Sequence, residues 1–152
     1  MAKTTPRTKA WDAFSLYVRV RDAIRTMGGK TTTVYLKSGD SKEVLVCRCI
    51  TCDSIFPITR LQGGHFIPGR NNAVLFQEKG VHAQCGQCNI YLKGNTLAYR
   101  KKIIEMYGDG YDEILAEEGR QTIQYKEFQY KEIELKYKKK TEELLKSLTL
   151  QS

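Results

Sequence analysis

From Thr8 to Arg25 apolar residues return near helical spacing, at Trp11, Phe14, Val18 and Ile24, and predict a first helix. Thr8 is placed to cap it and Gly28-Gly29 to end it. Its other face carries Arg19, Arg21 and Arg25, as solvated charge or as a DNA contact. The β-branched runs Thr31 to Leu36 and Lys42 to Cys47, around Ser38-Gly39-Asp40, predict a short hairpin. From Cys47 to Asn89 the chain is too polar and too punctuated by Gly, Cys and His for an ordinary core. Helical periodicity resumes after Cys88, through Leu92, Leu97, Ile103, Ile104 and Met106, and should stop at Gly108-Asp109-Gly110. Tyr111 to Glu118 then reads as a short helix and Gln121 to Leu148 as a long one, with Phe128, Ile133, Leu135, Leu144 and Leu145 as its apolar content. Its run Lys136-Tyr137-Lys138-Lys139-Lys140 is a solvated face or a nucleic-acid contact. The pattern is α+β, in three segments: 1–46 a helix plus hairpin, 47–107 a cysteine-rich core, and 108–152 a helical tail.

Composition narrows the class. At 152 residues, 41% apolar and 28% charged, the chain suits one soluble domain. No stretch approaches the roughly 18 apolar residues of a membrane span. The N-terminal Met1 to Arg7 is basic but has no apolar leader core, so a cytoplasmic protein is expected rather than a secreted one. The net charge of +8 and a pI near 9.3 point to a polyanionic partner, nucleic acid before a membrane surface.

Five cysteines cannot all pair within one chain, and in a reducing compartment they read as metal ligands. Cys49-Ile50-Thr51-Cys52 and Cys85-Gly86-Gln87-Cys88 are two Cys-x-x-Cys knuckles separated by 32 residues (53 through 84). Two such turns complete a tetrahedral sulfur cage for a structural Zn²⁺, with no open coordination position. The metal would contribute folding free energy to a region short of core. Cys47 is the odd one out, expected on the opposite face of a strand from Cys49 as a small buried residue.

Between the knuckles lies Gly63-Gly64-His65-Phe66, and both histidines of the chain, His65 and His82, fall inside the zinc loop. The glycines permit close backbone approach to a ligand, and Arg60 and Arg70 can bind phosphate. Asn89 follows the last cysteine as an oxygen donor. A histidine base and a hard oxygen ligand pinned by one zinc suit metal-assisted phosphodiester hydrolysis.

The order Cys-x-x-Cys, Gly-His-Phe, Cys-x-x-Cys-Asn, followed by Lys93-Gly94-Asn95 and Tyr99-Arg100, resembles the phage NinG/Rap recombination proteins. The run Trp11-Asp12-Ala13-Phe14-Ser15-Leu16-Tyr17-Val18-Arg19-Val20-Arg21-Asp22 is similar to the segment before the zinc site there, so the resemblance covers roughly residues 10 to 118. More distantly the motif order resembles phage endonuclease VII and other ββα-metal (HNH, His-Me finger) nucleases. The resemblance implies a nuclease acting on branched recombination intermediates such as Holliday junctions and D-loops. His65 would be the general base, and Asn89 would hold a catalytic Mg²⁺ or Mn²⁺. The core would be a β-hairpin carrying His65 on its first strand, crossed by a helix starting near Asn89, with helices flanking it at both ends.

Many of the wider group place a metal ligand directly before the base, where this chain has Gly64. Either another group fills that place, with His82 the candidate, or water and DNA phosphate complete a looser shell. The alternative for His82 is packing beside the zinc knuckle. Lys93, one turn beyond Asn89, suits phosphate rather than a cation, and Arg100 is a further DNA contact. Residues 29 to 46 look like an extra hairpin outside the family pattern, extending the sheet or touching DNA. A two-fold four-way junction calls for paired cuts, hence a homodimer. Branch recognition would rest on phosphate contacts and DNA shape, and binding should weaken steeply with salt. The competing readings are a non-catalytic zinc-stabilised DNA-binding recombination module and a zinc-bound protein-interaction module of RING or ribbon type.

Overall fold

The computed structural model describes residues 4–150; the expectation for Met1 to Lys3, as part of a basic N-terminus without a leader, lies outside them. Helix α1 runs Pro6–Met27. Thr5, rather than Thr8, caps it, accepting from the Thr8 backbone N–H, and Pro6 takes the first helical position where no N–H is needed. Gly28 ends it at φ 65°. The expected hairpin forms as β1 (Thr31–Tyr35) against β2 (Ser41–Arg48), and β3 (Ile55–Pro57) joins the other edge of β2 in an antiparallel three-stranded sheet. A short 3₁₀ turn (Ile58–Arg60) then leads into a second, separate hairpin, β4 (Leu61–His65) with β5 (Val81–Cys85). The loop between those strands contains a single turn of helix, α2 (Asn72–Leu75), started by the Asn71 side chain.

After β5 the chain departs from the expected continuous helix. Gln87–Tyr91 is one π-helical turn, Lys93 to Asn95 break it, and α3 begins only at Thr96 and ends at Tyr107. Helix α4 spans Tyr111–Gly119 and α5 spans Glu127–Leu150. The last helix starts six residues later than its apolar pattern suggests, where Gln129 accepts from the Lys126 backbone N–H.

Hairpin β4–β5 is the middle of the molecule. Its register pairs Gly63 with Ala83, Gly64 with His82 and His65 with Val81. Alternation sends the Gly63 and His65 side toward α1, while Gly64, His82 and Gln84 face α3. Helices α1 and α5 pack most extensively on one another, with Phe14 and Tyr137 in edge-to-face contact at 4.8 Å beside Val81. A second cluster joins Cys47, Cys49, Leu61, Ala83, Cys85 and Cys88 to Ala23 of α1, and a third joins Phe66 to Tyr99, Ile103 and Leu115. No helix among the described residues is long and apolar enough to cross a membrane.

Arg19 and Arg21 of α1 turn inward instead of to solvent or DNA, while Arg25 stays exposed. Arg21 pairs with buried Asp22 at 3.0 Å and donates to the carbonyls of Glu78 and Val81, while Asp22 accepts from the Ala83 N–H at 2.8 Å. Arg19 donates to the Ile58 carbonyl, and Arg25 lies 3.6 Å from Asp22. A carboxylate this deep has to be paired, and it fixes α1 to the edge of β5. The Lys136 to Lys140 run divides differently: Tyr137 turns into the core, Lys138 pairs with Glu134 and Lys140 with Glu78.

Candidate functional site

The four expected ligands converge. The Sγ atoms of Cys49, Cys52, Cys85 and Cys88 all lie within 4.8 Å of one another, and Cys52 and Cys85 are 3.8 Å apart. A tetrahedron with Zn–S bonds of about 2.3 Å has edges of roughly 3.8 Å, so the cluster fits zinc with small adjustment. Its surroundings fit thiolates too. The Cys85 N–H donates to Cys49 Sγ at 3.3 Å and the Asn95 amide to Cys88 Sγ at 3.6 Å. Burial alone would raise the Cys49 thiol, but hydrogen bonds from Thr51 and from the Cys85, Cys52 and Thr51 backbone hold it down to about 7. The first knuckle is tied to the hairpin by Ile50 N–H to the Ala83 carbonyl, 2.9 Å.

Cys47 is buried as expected but not across the strand from Cys49. Residues two apart share a face, and both pack in the same cluster. The end of β2 at Arg48, followed by the turn closed by Asp53 N–H to the Cys49 carbonyl, carries Cys49 onward into the cage and leaves Cys47 behind. Burial pushes the Cys47 thiol up to about 11, a poor ligand state.

His65 closes β4 on the α1 side. Its ring stacks on Trp11 with centroids 5.0 Å apart, and its Nε2 lies 3.3 Å from the Leu75 carbonyl. A carbonyl only accepts, so Nε2 carries the proton and Nδ1 keeps its lone pair. Burial, with a smaller push from Arg70, brings the ring down to about 4 and leaves it neutral near pH 7. The Arg70 guanidinium sits 4.7 Å from the Trp11 ring centroid. Arg7 donates to the Arg70 carbonyl at 2.6 Å and reaches Asn72, which also accepts from Tyr130 at 3.1 Å. Two arginines, an aromatic ring and a neutral histidine thus meet at one corner. Trp11 and Arg7 were not expected there. Trp11 reads in the sequence as one apolar position of a helix, and nothing in spacing pairs it with a residue 54 positions away.

His82 does not meet the expectation of a metal ligand. It is fully buried, 3.3 Å from the Tyr99 hydroxyl by Nδ1 and 2.9 Å from the Tyr107 hydroxyl by Nε2. Tyr99 spends its proton on the Gly64 carbonyl at 2.6 Å, so Nδ1–H donates to Tyr99 and Nε2 accepts from Tyr107. Neither nitrogen has a lone pair left for a cation. His82 acts instead as a strut beneath Gly64, and burial holds it neutral at about 4.

The glycines admit the protein's own side chains rather than a ligand. A Cβ on Gly63 would lie 3.1 Å from Trp11, whereas one on Gly64 would overlap Gln84 Oε1 and sit 2.8 Å from its Cβ. The Gln84 amide nitrogen donates to Thr51 and to the Gly94 carbonyl, leaving its Oε1 buried without a partner. Asn89 sits in the π-helical turn and donates to Gln62 Oε1 at 2.6 Å, with its own Oδ1 unengaged. No hydrogen bond or ring contact joins any two of His65, His82 and Asn89. Among the described residues no His, Cys, Asp or Glu group able to hold an ion forms apart from the four cysteines. A divalent ion at Asn89 would therefore have one protein oxygen and would take the rest of its shell from water and phosphate, as Mg²⁺ tolerates.

The four basic residues expected to meet DNA are all exposed but spread out. Arg60 lies over Phe56, Arg70 over Trp11, and Arg100 over Phe66 with Asp112 at 3.4 Å; Lys93 stands in the left-handed turn after Asn89.

A family model described as "NinG: Bacteriophage Lambda NinG protein" matches residues 29–147. The match takes in the β1–β2 hairpin, which had been set outside the pattern, and most of α5, but not the Trp11 to Asp22 run. No curated protein and no solved structure matches the chain.

Proposed function

The chain belongs to the bacteriophage lambda NinG family, and from that footing we propose that it is a metal-dependent endonuclease of ββα-metal (HNH, His-Me finger) type acting on branched DNA in phage recombination. The observation that carries the reading is the state of His65. Its Nε2–H is held by the Leu75 carbonyl, its ring is neutral, and Nδ1 is left to take a proton from an attacking water. Trp11 fixes the ring plane, and Arg70 and Arg7 place positive charge beside it for the phosphate that would be cut. Asn89, directly after a zinc ligand, offers its Oδ1 to a Mg²⁺ or Mn²⁺ ion, which when bound would stabilise charge on the phosphate and the leaving oxygen. The cysteine cage holds β5 and the Asn89 turn in one frame. The site of action would be the host-cell cytoplasm, and paired cuts in a four-way junction would require two copies.

A second reading has its own support. Gln84 occupies the space where a ligand before His65 would stand, and no carboxylate joins Asn89. That arrangement suits a zinc-stabilised recombination module that binds DNA without cutting it.

Purified wild type and His65→Ala on a labelled four-way junction, with Mg²⁺, Mn²⁺ or chelator, separate the two. Metal-dependent cleavage that falls by at least about 100-fold in His65→Ala is the expected result. Cleavage that survives the substitution removes His65 from the chemistry, and binding by both proteins with cleavage by neither favours the non-catalytic module.

A further inference from the structure

The π-helical turn after the second knuckle displays large apolar side chains to solvent. Ile90 is 59% exposed, Tyr91 77%, Leu92 50% and nearby Leu97 75%. Among the described residues no ring contact or hydrogen bond engages the Tyr91 side chain. Exposed apolar side chains this concentrated mark a surface that meets something.

The turn is also held rigidly. Lys93, Gly94 and Asn95 all have left-handed backbones, at φ 51°, 92° and 48°, a costly sequence for two residues with side chains. It persists because the structure grips it from below. Asn95 donates to Cys88 Sγ, Gln84 donates to the Gly94 carbonyl, and the Gly94 N–H returns to the Cys88 carbonyl at 2.9 Å. The zinc knuckle is thus the mount, and Ile90 to Leu92 are what it holds out.

Charge selects the partner. From Lys79 through Ile104 the sequence has five Lys or Arg and no Asp or Glu. Lys102 and Arg100 are engaged by Asp53 and Asp112, while Lys93 and Lys101 have no ion-pair partner among the described residues. Apolar side chains in a stretch with no acidic residue, followed directly by the unpaired Lys93, suit stacked bases between phosphates better than an apolar protein face.

We propose that the Ile90-Tyr91-Leu92 knuckle is a wedge for the opened bases of a DNA branch point, with the Tyr91 ring stacking on an unpaired base. This rests on the reading that the partner is branched DNA, and it adds the element that tells a branch from a duplex. A wedge held rigid before binding loses little freedom when it inserts.

The test uses the full-length, zinc-loaded chain in Ca²⁺, on a four-way junction and on a linear duplex of equal length, with 2-aminopurine at the branch. Wild type and Tyr91→Phe should quench the probe and prefer the junction. Tyr91→Ala should lose the quench and bind the junction about tenfold more weakly, with duplex affinity and salt dependence unchanged. Leu97→Ser, at the rim, should lose part of the preference. Wild-type quench and junction preference retained in Tyr91→Ala would overturn the wedge alone. A wild type that binds the junction no better than the duplex would overturn the branched-DNA reading as well. A change in the sedimentation of free protein on Tyr91→Ala, with DNA binding intact, would assign the patch to a second copy of the chain and likewise overturn the wedge.

Discussion

Gly63 and Gly64 stand side by side for two different neighbours, one on each face of β4: Trp11 of α1 beyond the first, Gln84 against the second. The sequence marks both as places of close approach, and a glycine pair says no more than that something comes near. What comes near is long-range side-chain packing, which no local spacing records. Gly64→Ala should destabilise the protein by about 1–3 kcal/mol through overlap with Gln84. Urea unfolding would show the loss, and adding Gln84→Ala should recover much of it. His82 makes the same point for chemistry. Its place in the zinc loop suggested a ligand, yet Tyr99 and Tyr107, 17 and 25 residues further on, consume both its nitrogens. A histidine held near 4 when folded and near 6.5 when unfolded gives stability that is whole above about pH 6.5 and falls as pH drops toward 4. Between pH 7.5 and 5 this one group should cost roughly 2 kcal/mol. Unfolding of His82→Gln at the two pH values should show a smaller change than wild type; an equal change would contradict the buried, neutral assignment.

At the scale of elements, the helices and the first hairpin were legible because their signals are local: apolar period, β-branched runs and Gly28. The Cys-x-x-Cys pairs were legible for the same reason, since each knuckle fixes its own geometry within four residues. The helix expected near Asn89 was not, because Lys93-Gly94-Asn95 take left-handed conformations that hydrogen bonds to Gly94 and Cys88 sustain. A zinc held by the four cysteines would therefore organise more than its own ligands. It would join the turn after β2 to the end of β5 and to the turn that carries Asn89. Cys85→Ser, or zinc removal by a strong chelator, should loosen hairpin β4–β5 and that turn together. Amide hydrogen exchange would then accelerate through residues 61–65 and 81–95, while metal analysis of wild type should give one zinc per chain. Folded protein without zinc, or exchange unchanged in Cys85→Ser, would contradict the cage.

In the whole molecule, helices from opposite ends of the chain pack together, and their shared contact with the β4–β5 hairpin sets the corner where Trp11, His65, Arg70 and Arg7 meet. Sequence could nominate His65 and Arg70 but not the helix that brings Trp11 over them, because that contact depends on the buried Asp22 pin and on Phe14 against Tyr137. The NinG family match runs from the first hairpin into the last helix and leaves α1, which supplies Trp11 and Arg7, outside it. The most direct test of the central claim is single-turnover cleavage of a labelled four-way junction by zinc-loaded wild type and His65→Gly in Mg²⁺, with and without added imidazole. If His65 supplies the base, wild type cuts, the variant does not, and imidazole restores part of the rate to the variant alone. A variant that cuts as fast as wild type without imidazole, or a wild type that binds the junction and never cuts it, would contradict the account.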